Sequence, residues 1–266
     1  MNSIILTVHN KEWLISKVIS AIYKHTIGPF ELIVVLDGCT DKSKQEVFKY
    51  INPSNTLVLE TPDVFETKAN NVGLKAAKGD CSIIIQDDMI INETGWDSRM
   101  RKPFQFDDVF AVTARTAHNW IFNPNTKDLN LDYNPNDHWS DILIHTDHAH
   151  KGNISRDTFA IRSSVNRGPL ILDNSVIREL GYLDETYSPQ DMDDHDLCYR
   201  AYSKLGKVCG CYWIDFISND SWGGTRINGS PAPWLLEANQ KNTKIFYNRY
   251  KELIHSDNHN EERIIK

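Results

Sequence analysis

The sequence lacks long apolar segments and an excess of basic charge. No apolar run approaches the roughly 20 residues that a bilayer-spanning helix needs. The opening residues, MNSIILTVHN, also lack the basic start of a secretory signal peptide. The formal net charge is -7, whereas a domain that binds nucleic acid across its surface is normally basic. These absences argue against a transmembrane protein and against a nucleic-acid-binding protein.

Cysteine is too scarce to form a disulfide scaffold. The chain has 5 cysteines in 266 residues, an odd number in a chain long enough to bury a sizeable core. Cys209 and Cys211 form a C-x-C pair, but no second pair follows at zinc-ribbon spacing. We therefore expect reduced thiols and a cytoplasmic protein. The contents of 40% hydrophobic and 24% charged residues are typical of a globular chain.

Two common nucleotide-binding motifs are also missing. No G-x-G-x-x-G follows the first predicted strand and no Walker motif occurs, which argues against a dinucleotide site and a P-loop. Over residues 1–115, apolar runs instead alternate with helical patterns. The runs are SIILTV (3–8), ELIVVL (31–36), TLVLE (56–60) and CSIIIQ (81–86). Because these runs are continuous, they predict an α/β fold with a mostly parallel central sheet flanked by helices.

The remaining sequence predicts a return to the same core. Residues 116–168 are rich in Asn, Asp, His and Pro, which predicts long loops with short strands. GPLILD (168–173) predicts a core strand, and helical patterns follow at 174–180, 193–204 and 234–253. Since no repeat or linker separates these parts, we expect a single domain.

Polar residues follow three of the predicted strands at the point where each strand ends. They are Thr7, His9 and Asn10 at the first strand, Asp37 at the second, and Asp87 and Asp88 after CSIIIQ. In such sheets the carboxyl ends of neighbouring strands form one crevice, so these side chains should converge. Adjacent buried carboxylates repel each other, and a divalent metal is the first expectation for the balancing charge. A solvated turn is the alternative for Asp87 and Asp88.

Six segments, in this order, resemble the family 2 glycosyltransferases of the GT-A fold. They are SIILTVHN, FELIVVLDGCTD, TKANNVGLKAAKGD, IIIQDDMII, GYLDETY and MDDHDLCYRAYSKLG. The resemblance implies one GT-A domain over 1–266, with a nucleotide-sugar-binding half (1–115), an acceptor-binding half (116–230) and a C-terminal helical segment (231–266). It also implies a Mn²⁺ or Mg²⁺ cofactor and inverting transfer of a sugar from a nucleoside-diphosphate-sugar donor, most commonly a UDP-sugar. The acceptor would be a hydroxyl of a glycan or glycoconjugate.

The resemblance also implies roles for individual positions. The donor-binding positions are Thr7 and Asp37 at the nucleoside base, His9 stacked on that base, Asp87 at the ribose and Lys68 near the donor. Asp88 matches the metal ligand, and Asp194, with its acidic neighbour Asp193, matches the catalytic base. Gln86 stands where the family often has an acid. In place of a late histidine that many members carry, the stretch FISNDSWGGTR offers Asn219 or Asp220, and we take Asp220 as the second metal ligand.

Three further donor-binding candidates follow from the residues themselves. Trp222 offers an aromatic face to a sugar, and Arg226, in the same Gly-rich stretch, offers a cation to the diphosphate. Asn10 lies beside the other polar groups at the first strand end. The acids of MDDHD also fit an ordinary helix N-terminus, where the helix dipole stabilises negative charge. Lys68 equally fits an exposed helix position.

Several alternatives stay open. The histidines of the loop region could bind zinc or contact the acceptor, but their spacing fits no standard zinc site; they are His138, His145, His148 and His150. Basic residues of the last predicted helix could touch a membrane surface or simply pack. The alternative functions are a catalytically degenerate nucleotide-sugar- or glycan-binding module and a sugar nucleotidyltransferase. The latter should carry a Gly-rich loop after its first strand, and this chain has none there.

Overall fold

The computed structural model describes residues 1–120, 139–143, 155–219, 221–223, 233–256 and 259–266. The strands are β1 (Asn2–Val8), β2 (Phe30–Asp37), β3 (Thr56–Thr61), β4 (Cys81–Gln86), β5 (Ile90–Ile91), β6 (Val109–Thr113), β7 (Thr116–Asn119), β8 (Trp139–Leu143), β9 (Thr158–Arg162), β10 (Ser164–Val165), β11 (Leu170–Asp173), β12 (Val208–Cys211), β13 (Phe216–Ile217) and β14 (Glu261–Ile264). The helices are α1 (Ile15–His25), α2 (Ser43–Tyr50), α3 (Phe65–Ala76), α4 (Trp96–Met100), α5 (Asn174–Leu180), α6 (Asp193–Leu205) and α7 (Pro233–Ser256).

A mixed central sheet organises the described part of the chain. Its strand order is β14-β9-β12-β6-β11-β4-β1-β2-β3. The half formed by β4, β1, β2 and β3 is entirely parallel, whereas β11 runs antiparallel between β4 and β6. The register places Thr7 beside Gln86 and Val8 beside Leu36. The polar residues that follow these strands therefore start at the same edge of the sheet.

Both faces of the parallel strands are covered, which explains why their sequences are continuously apolar. In β1, Ile4 and Leu6 belong to one buried cluster, and Ile5 belongs to a second cluster on the other face. The first cluster includes the inward residues of α1, and the second includes those of α3, α5 and α6. Burial of an apolar side chain of this size contributes about 1.5–3 kcal/mol, so the two layers hold the strand ends firmly.

Helix α3 approaches the sheet closely because it carries a glycine. A methyl group on Gly73 would lie 2.4 Å from Ile5 Cγ2 and 3.4 Å from Val35 Cγ2. Two other small or polar positions of the same face, Ala69 and Asn70, are also buried. The N-terminus of α3 is thereby brought against the carboxyl ends of β1 and β2.

Helix α7 is fixed against α6 by the carboxylate of Asp196, which is fully buried. Asp196 accepts hydrogen bonds from Arg200 Nε at 2.5 Å, Arg249 Nη1 at 2.6 Å and the Tyr250 hydroxyl at 2.7 Å. Around this network, Phe246 and other aromatic residues of α6 and α7 form a third apolar cluster. This third acid of MDDHD is therefore structural.

The predicted α/β fold class is confirmed, and its strands and helices lie close to their predicted positions. Strand β9 lies within 116–168, where short strands were predicted without bounds, and it joins the main sheet. Strand β14 was not predicted, and it pairs with β9 at the edge of the sheet. The four histidines at 138, 145, 148 and 150 lie outside the described residues. Among the described helices, none combines the length and apolar character that crossing a membrane requires.

Replacing Gly73 tests the close approach of α3. Gly73→Ala should lower the free energy of unfolding by about 1–3 kcal/mol, because the added methyl group overlaps Ile5. Helix propensity alone would predict the opposite, a gain of about 1 kcal/mol in stability, because alanine is favoured over glycine in a helix. Urea denaturation measures the difference. Lys68→Ala, on the exposed side of the same helix, is the control and should change stability by less than about 0.5 kcal/mol. A Gly73→Ala protein as stable as wild type would contradict the predicted overlap.

Candidate active site

A cavity of about 280 Å³ opens at the carboxyl edge of the parallel strands. Its walls come from the ends of β1, β2 and β4, from the start of α3, from the segment before α6, from Gly223 and from the first turn of α7. The lining residues are Thr7, Val8, His9, Lys11, Asp37, Phe65, Glu66, Ala69, Gln86, Asp87, Asp88, Gln190, Gly223 and Leu235. Thr7, His9, Asp37, Asp87 and Asp88, all predicted from the three strand ends, thus surround one space.

The charge of Asp87 is balanced by a buried lysine. Lys11 Nζ lies 3.3 Å from Asp87 Oδ1, and the lysine side chain is 1% exposed. The other oxygen, Oδ2, accepts a hydrogen bond of 2.9 Å from the backbone N–H of His9. Burial nevertheless raises the pKa of Asp87 to about 6; Lys11 opposes this rise, and the neighbouring Asp88 adds to it. The site therefore holds one more negative charge than its lysine can balance.

Asp88 lines the cavity and has one carboxylate oxygen that is shielded from solvent. Within the described part of the chain, its Oδ1 atom is buried and has no hydrogen-bond partner. Burial raises the pKa of Asp88, while Lys11 and Arg115 lower it. A buried carboxylate oxygen without a donor is costly unless a cation lies against it. Oxygen is also the ligand that Mg²⁺ prefers, so Asp88 fits the requirement of a divalent metal site.

Gln86 explains why this chain can lack an acid at the end of β4. Its Nε2 donates to Glu66 Oε1 at 2.8 Å, and its Oε1 accepts from Arg115 Nη1 at 3.3 Å. A carboxylate at position 86 could not donate to Glu66 and would repel it. The amide therefore links α3 to the strand end without adding a further negative charge.

The carboxylate of Asp37 is engaged in hydrogen bonds to the segment that leads into α3. Its Oδ1 accepts from Val64 N–H and the Thr61 hydroxyl, both at 2.8 Å, and its Oδ2 accepts from Phe65 N–H at 2.9 Å. Phe65 has φ of 66°, a left-handed conformation that costs roughly 1–2 kcal/mol for a residue with a side chain. Hydrogen bonds to a charged group contribute about 1.5–3 kcal/mol each, enough to offset that strain.

His9 is tied to neighbouring groups at both ring nitrogens. Nδ1 donates to the backbone carbonyl of Asp37 at 2.6 Å, and Nε2 accepts from Asn10 Nδ2 at 3.2 Å. The Oδ1 atom of Asn10 accepts from the backbone N–H of Thr40, so Asn10 joins the β1 end to the loop after β2. Among the described residues, ligand atoms of His9, Asp37 and Asp63 also lie within 4.8 Å of one another. Because Asp37 already accepts three hydrogen bonds, these three residues fit a metal less well than Asp88 does.

A second charged group, centred on Arg167, lies at the start of α6. The arginine side chain is 7% exposed and forms ion pairs with Asp193 and with Asp194, the latter with Nε 3.5 Å from Oδ2. Its Nη1 is 3.7 Å from Glu66 Oε1, and Glu66 lines the cavity. Asp193 and Asp194 are not among the lining residues. Arg167 thus connects the acids of α6 to the wall of the cavity.

Asp194 is a fixed, strongly acidic carboxyl group. Its Oδ1 accepts from the N–H of His195 at 2.9 Å and from His195 Nδ1 at 2.7 Å, while Oδ2 accepts from Arg167 N–H at 3.0 Å. Although burial raises its pKa, Arg167 and His195 hold the pKa of Asp194 well below its usual range. On its far side, His195 Nε2 lies 2.5 Å from His118 Nε2. Asp194 is consequently charged at any physiological pH.

The remaining predicted residues do not line the cavity or lie outside the described chain. Lys68 is on the exposed side of α3 and does not line the cavity. The indole of Trp222 forms an edge contact with Trp13, with ring centroids 6.5 Å apart. The backbone carbonyl of Trp222 accepts a hydrogen bond from Lys11 Nζ at 2.5 Å. Asp220 and Arg226 lie outside the described residues.

Sequence reasoning missed Lys11, Arg167 and Glu66. Lys11 directly follows the strand-end residues His9 and Asn10, and its nearness to them was the available signal. Arg167 sits in a loop-rich region with weak periodicity, where no local pattern shows that it faces α6. Arg167 could have been predicted only by looking for a cation, distant in the sequence, that balances the acids of MDDHD.

Comparison with known proteins identifies the family. The sequence pattern of Glycosyl transferase family 2 matches residues 3–167. The chain belongs to this family. A poly(ribitol-phosphate) beta-N-acetylglucosaminyltransferase, TarS of Staphylococcus aureus (strain MW2), is 35% identical over 95 residues. Those residues are 34% of this chain and 17% of TarS, so the chain matches under a fifth of that relative's length.

Solved structures show the GT-A fold. GalNAc-T7 with UDP, GalNAc and Mn²⁺ aligns with a TM-score of 0.60 at 14% identity, over 96% of this chain and 50% of that one. Residues 1–349 of S. aureus TarS in complex with UDP-GlcNAc align with a TM-score of 0.58 at 14% identity, over 96% and 73%. The mannosyltransferase PcManGT of Pyrobaculum calidifontis, with GDP-Man and Mn²⁺, aligns with a TM-score of 0.56 at 14% identity, over 92% and 69%.

Removing Lys11 should destabilise the protein, because the buried acids lose the cation that balances them. Lys11→Met should lower the free energy of unfolding at pH 7 by about 3 kcal/mol, because Asp87 is left buried without its cation. In the wild type the pKa of Asp87 is about 6, and Lys11 lowers it, so removing Lys11 raises this pKa further. As pH falls, protonation of Asp87 then stabilises the folded variant more than it stabilises the folded wild type. The deficit of Lys11→Met should therefore shrink between pH 7 and pH 5.

Urea denaturation at the two pH values measures both effects. Lys44→Met is the matched control, because Lys44 forms an ion pair with Glu60 in which both side chains are about half exposed. That variant should lose less than about 1 kcal/mol, with little change between the two pH values. An equal deficit for Lys11→Met at pH 7 and pH 5 would contradict the role assigned to Asp87.

Proposed function

We propose that the chain is a metal-dependent, inverting glycosyltransferase. It would move a sugar from a nucleoside-diphosphate-sugar, with UDP as the first carrier to test, to a hydroxyl of a glycan or glycoconjugate acceptor. The observation that carries the proposal is the pair Asp87–Asp88 at the carboxyl edge of the sheet, where Asp88 Oδ1 is buried with no donor among the described residues. Membership of family 2 and the GT-A fold supports the reaction class.

The donor-binding half of the cavity is built on β1 and β2. Thr7 and His9 at the end of β1 and Asp37 at the end of β2 line the cavity, and we assign the nucleoside to this part of it. Asp87 is positioned by Lys11 and His9 N–H, and it would accept a hydrogen bond from the ribose. TarS and GalNAc-T7 have been crystallised with UDP-GlcNAc and with UDP, and these structures support UDP as the carrier.

The diphosphate end of the donor would lie at Asp88. A divalent ion bound there, Mn²⁺ or Mg²⁺, would neutralise negative charge that builds on the leaving diphosphate. Asp88 would hold it with its free oxygen, and the second protein ligand proposed from the sequence is Asp220. Lys11, 3.3 Å from Asp87, contributes further positive charge at the same wall of the cavity. Mn²⁺ accompanies the nucleotide in two of the similar structures.

Asp194 is the proposed general base, with Asp193 holding Arg167 beside it. Three short hydrogen bonds fix its carboxylate, so the base is oriented before an acceptor arrives. The two oxygens of a carboxylate offer about four acceptor directions. The fourth is used only by the long 3.5 Å contact from Arg167 Nε, which an acceptor hydroxyl could replace at Oδ2. As Asp194 takes the hydroxyl proton, the acceptor oxygen would bond to the anomeric carbon from the face opposite the departing diphosphate, and this attack would invert the anomeric centre.

A non-catalytic nucleotide-sugar- or glycan-binding module is the second candidate. The observation that favours it is the lowered pKa of Asp194, because a carboxylate already stabilised by Arg167 and His195 is a weak base. Such a module would bind donor and metal through Asp87 and Asp88 yet form no product on any acceptor.

Metal-dependent nucleotide binding tests the site. Thermal unfolding should show that UDP with Mn²⁺ stabilises the wild type, by about 2.7 kcal/mol at a hundred times the dissociation constant. That corresponds to a rise of a few degrees for a domain of this size. In Asp88→Asn the part of the shift that requires Mn²⁺ should disappear, because the amide supplies no charge to the ion. GDP, CDP and dTDP are tested in parallel.

Asp80→Asn is the control for this substitution. Asp80 lies before β4 at the opposite end of the strand, and its side chain is 72% exposed in a surface contact with the N-terminus. This variant should keep the full metal-dependent shift. If Asp88→Asn kept it too, Asp88 would not be the metal ligand.

Substitution of Asp194 separates the enzyme from the binding module. Asp194→Asn should lower the rate of sugar transfer by about 10²–10⁴-fold, the usual contribution of a general base, and leave UDP binding largely unchanged. Release of UDP from UDP-sugars is measured against an array of glycan acceptors. Glu179→Gln, at an exposed position of α5, should transfer at the wild-type rate. Full transfer by Asp194→Asn would remove Asp194 as the base.

A further inference from the structure

The hydrogen-bond chain that fixes Asp194 continues into two buried histidines. Nδ1 of His195 lies 2.7 Å from Asp194 Oδ1, and Nε2 of the same ring lies 2.5 Å from Nε2 of His118. His195 belongs to α6 and His118 to β7, and the two residues are 4% and 5% exposed. The contact between the two rings therefore depends on the packing of a helix against a strand that is distant in the sequence.

The two imidazole rings meet edge to edge rather than face to face. Their centroids are 4.7 Å apart, and the ring planes differ by 26°. This separation exceeds the 2.5 Å between the nitrogens by nearly the sum of the two ring radii, so both nitrogens lie close to the line that joins the centroids. The lone pair of one nitrogen can thus point at the N–H of the other, as a hydrogen bond requires.

The hydrogen-bond partners indicate which nitrogens carry protons. Asp194 is ionised, and an ionised carboxylate only accepts, so His195 Nδ1 donates to Asp194. A neutral imidazole has one N–H, so Nε2 of His195 is then an acceptor. Its donor is the Nε2–H group of His118. Asp194, His195 and His118 therefore form one chain in which each histidine donates toward the carboxylate.

Aromatic side chains enclose the two histidines. The indole of Trp120 lies against both rings, with its centroid 6.1 Å from that of His118 and 5.6 Å from that of His195. The ring of Phe246 lies 6.0 Å from that of His195. In such apolar surroundings an acceptor left without a donor is costly. His118 therefore stabilises the orientation of His195 in which Nδ1 faces Asp194.

The two oxygens of Asp194 have different partners. Oδ1 accepts from the backbone N–H and from Nδ1 of His195, whereas Oδ2 accepts from the backbone N–H of Arg167 and has the long contact with Arg167 Nε. Oδ2 is the oxygen proposed to meet the acceptor hydroxyl. Without the imidazole, Oδ1 would keep only the backbone N–H of His195, and the carboxylate could turn more easily.

From this geometry, and resting on the proposed role of Asp194 as the general base, we infer that His195 is a positioning residue for Asp194 and that His118 acts through His195. His195 holds Oδ1 in place while Oδ2 takes the proton of the acceptor hydroxyl. Neither histidine is among the described residues that line the cavity, so both act through the carboxylate.

The experiment replaces each histidine by leucine and by the amide that keeps one N–H near the original donor. His195→Leu should lower kcat by about 10²-fold, the loss that a small misplacement of a reacting group can cause, with little change in the acceptor KM. His118→Leu should lower kcat by about tenfold, because the ring of His195 remains. His195→Asn and His118→Gln should recover most of the rate, since an amide N–H replaces the imidazole N–H.

A double variant tests whether His118 acts through His195. His118→Leu combined with His195→Leu should have the kcat of His195→Leu alone, because the ring that transmits the effect is already absent. His25→Leu is the matched control and should keep the wild-type kcat. His25 bonds to the Thr94 hydroxyl at the end of α1 and does not line the cavity. Calorimetric titration with UDP, at wild-type affinity, shows that each variant is folded.

Several results would overturn the inference while leaving the proposed function intact. An unchanged kcat in His195→Leu would show that the ring does not position the base, and a higher kcat would show that its weakening of the base dominates. Equal losses in the leucine and amide variants would assign the effect to shape rather than to the N–H groups. Losses that multiply in the double variant would mean that His118 does not act through His195.

NMR of the imidazole nitrogens, labelled with ¹⁵N, tests the hydrogen-bond chain without any substrate. His195 Nδ1 should carry a proton in the wild type, and a deprotonated Nδ1 would overturn the inference. If Nδ1 is protonated but the wild type transfers sugar to no acceptor, the proposed function fails, and the positioning role fails with it.

Discussion

Burial of several carboxylates at one edge of the sheet is the constraint on which the site depends. Asp87 and Asp88 end a strand that is covered on both faces, and Asp193 and Asp194 begin a helix that is itself buried. Such groups remain ionised in a folded protein only if cations or hydrogen-bond donors lie against them. The chain meets this requirement with two buried cations, Lys11 and Arg167, drawn from opposite halves of the fold.

The two cations neutralise the acids beside them to different extents. Around Arg167, three hydrogen bonds fix Asp194 and its pKa is lowered. Around Lys11, the pKa of Asp87 is raised and one oxygen of Asp88 has no partner in the described chain. In the Arg167 group the protein supplies nearly all the donors that the carboxylate needs, whereas the Lys11 group is suited to binding a further cation. Glu66, on the cavity wall, lies between them.

The sequence predicted what local patterns encode, namely the buried strands, the helix stops and the polar residues at strand ends. Continuous apolar runs identify strands covered on both faces, and parallel register then brings Thr7, Asp37 and Asp87 together. Local patterns did not predict contacts between segments that are distant in the sequence, such as Arg167 against α6 and β14 against β9. The use of Asp37 to hold Phe65 was also hidden, because a positive φ at a bulky residue contradicts local preference.

The contacts of Asp194 show why orientation can matter more than basicity in this site. Each donor that fixes the carboxylate also lowers its affinity for a proton, so Arg167 and His195 would weaken Asp194 in its proposed role as the base. A free carboxylate would be more basic but would have to be ordered during the reaction. As the acceptor oxygen attacks, its proton becomes more acidic, and a weak base at the right distance can then accept it. Rigid placement by Arg167 is therefore compatible with catalysis, provided that Oδ2 exchanges its long contact for the acceptor hydroxyl.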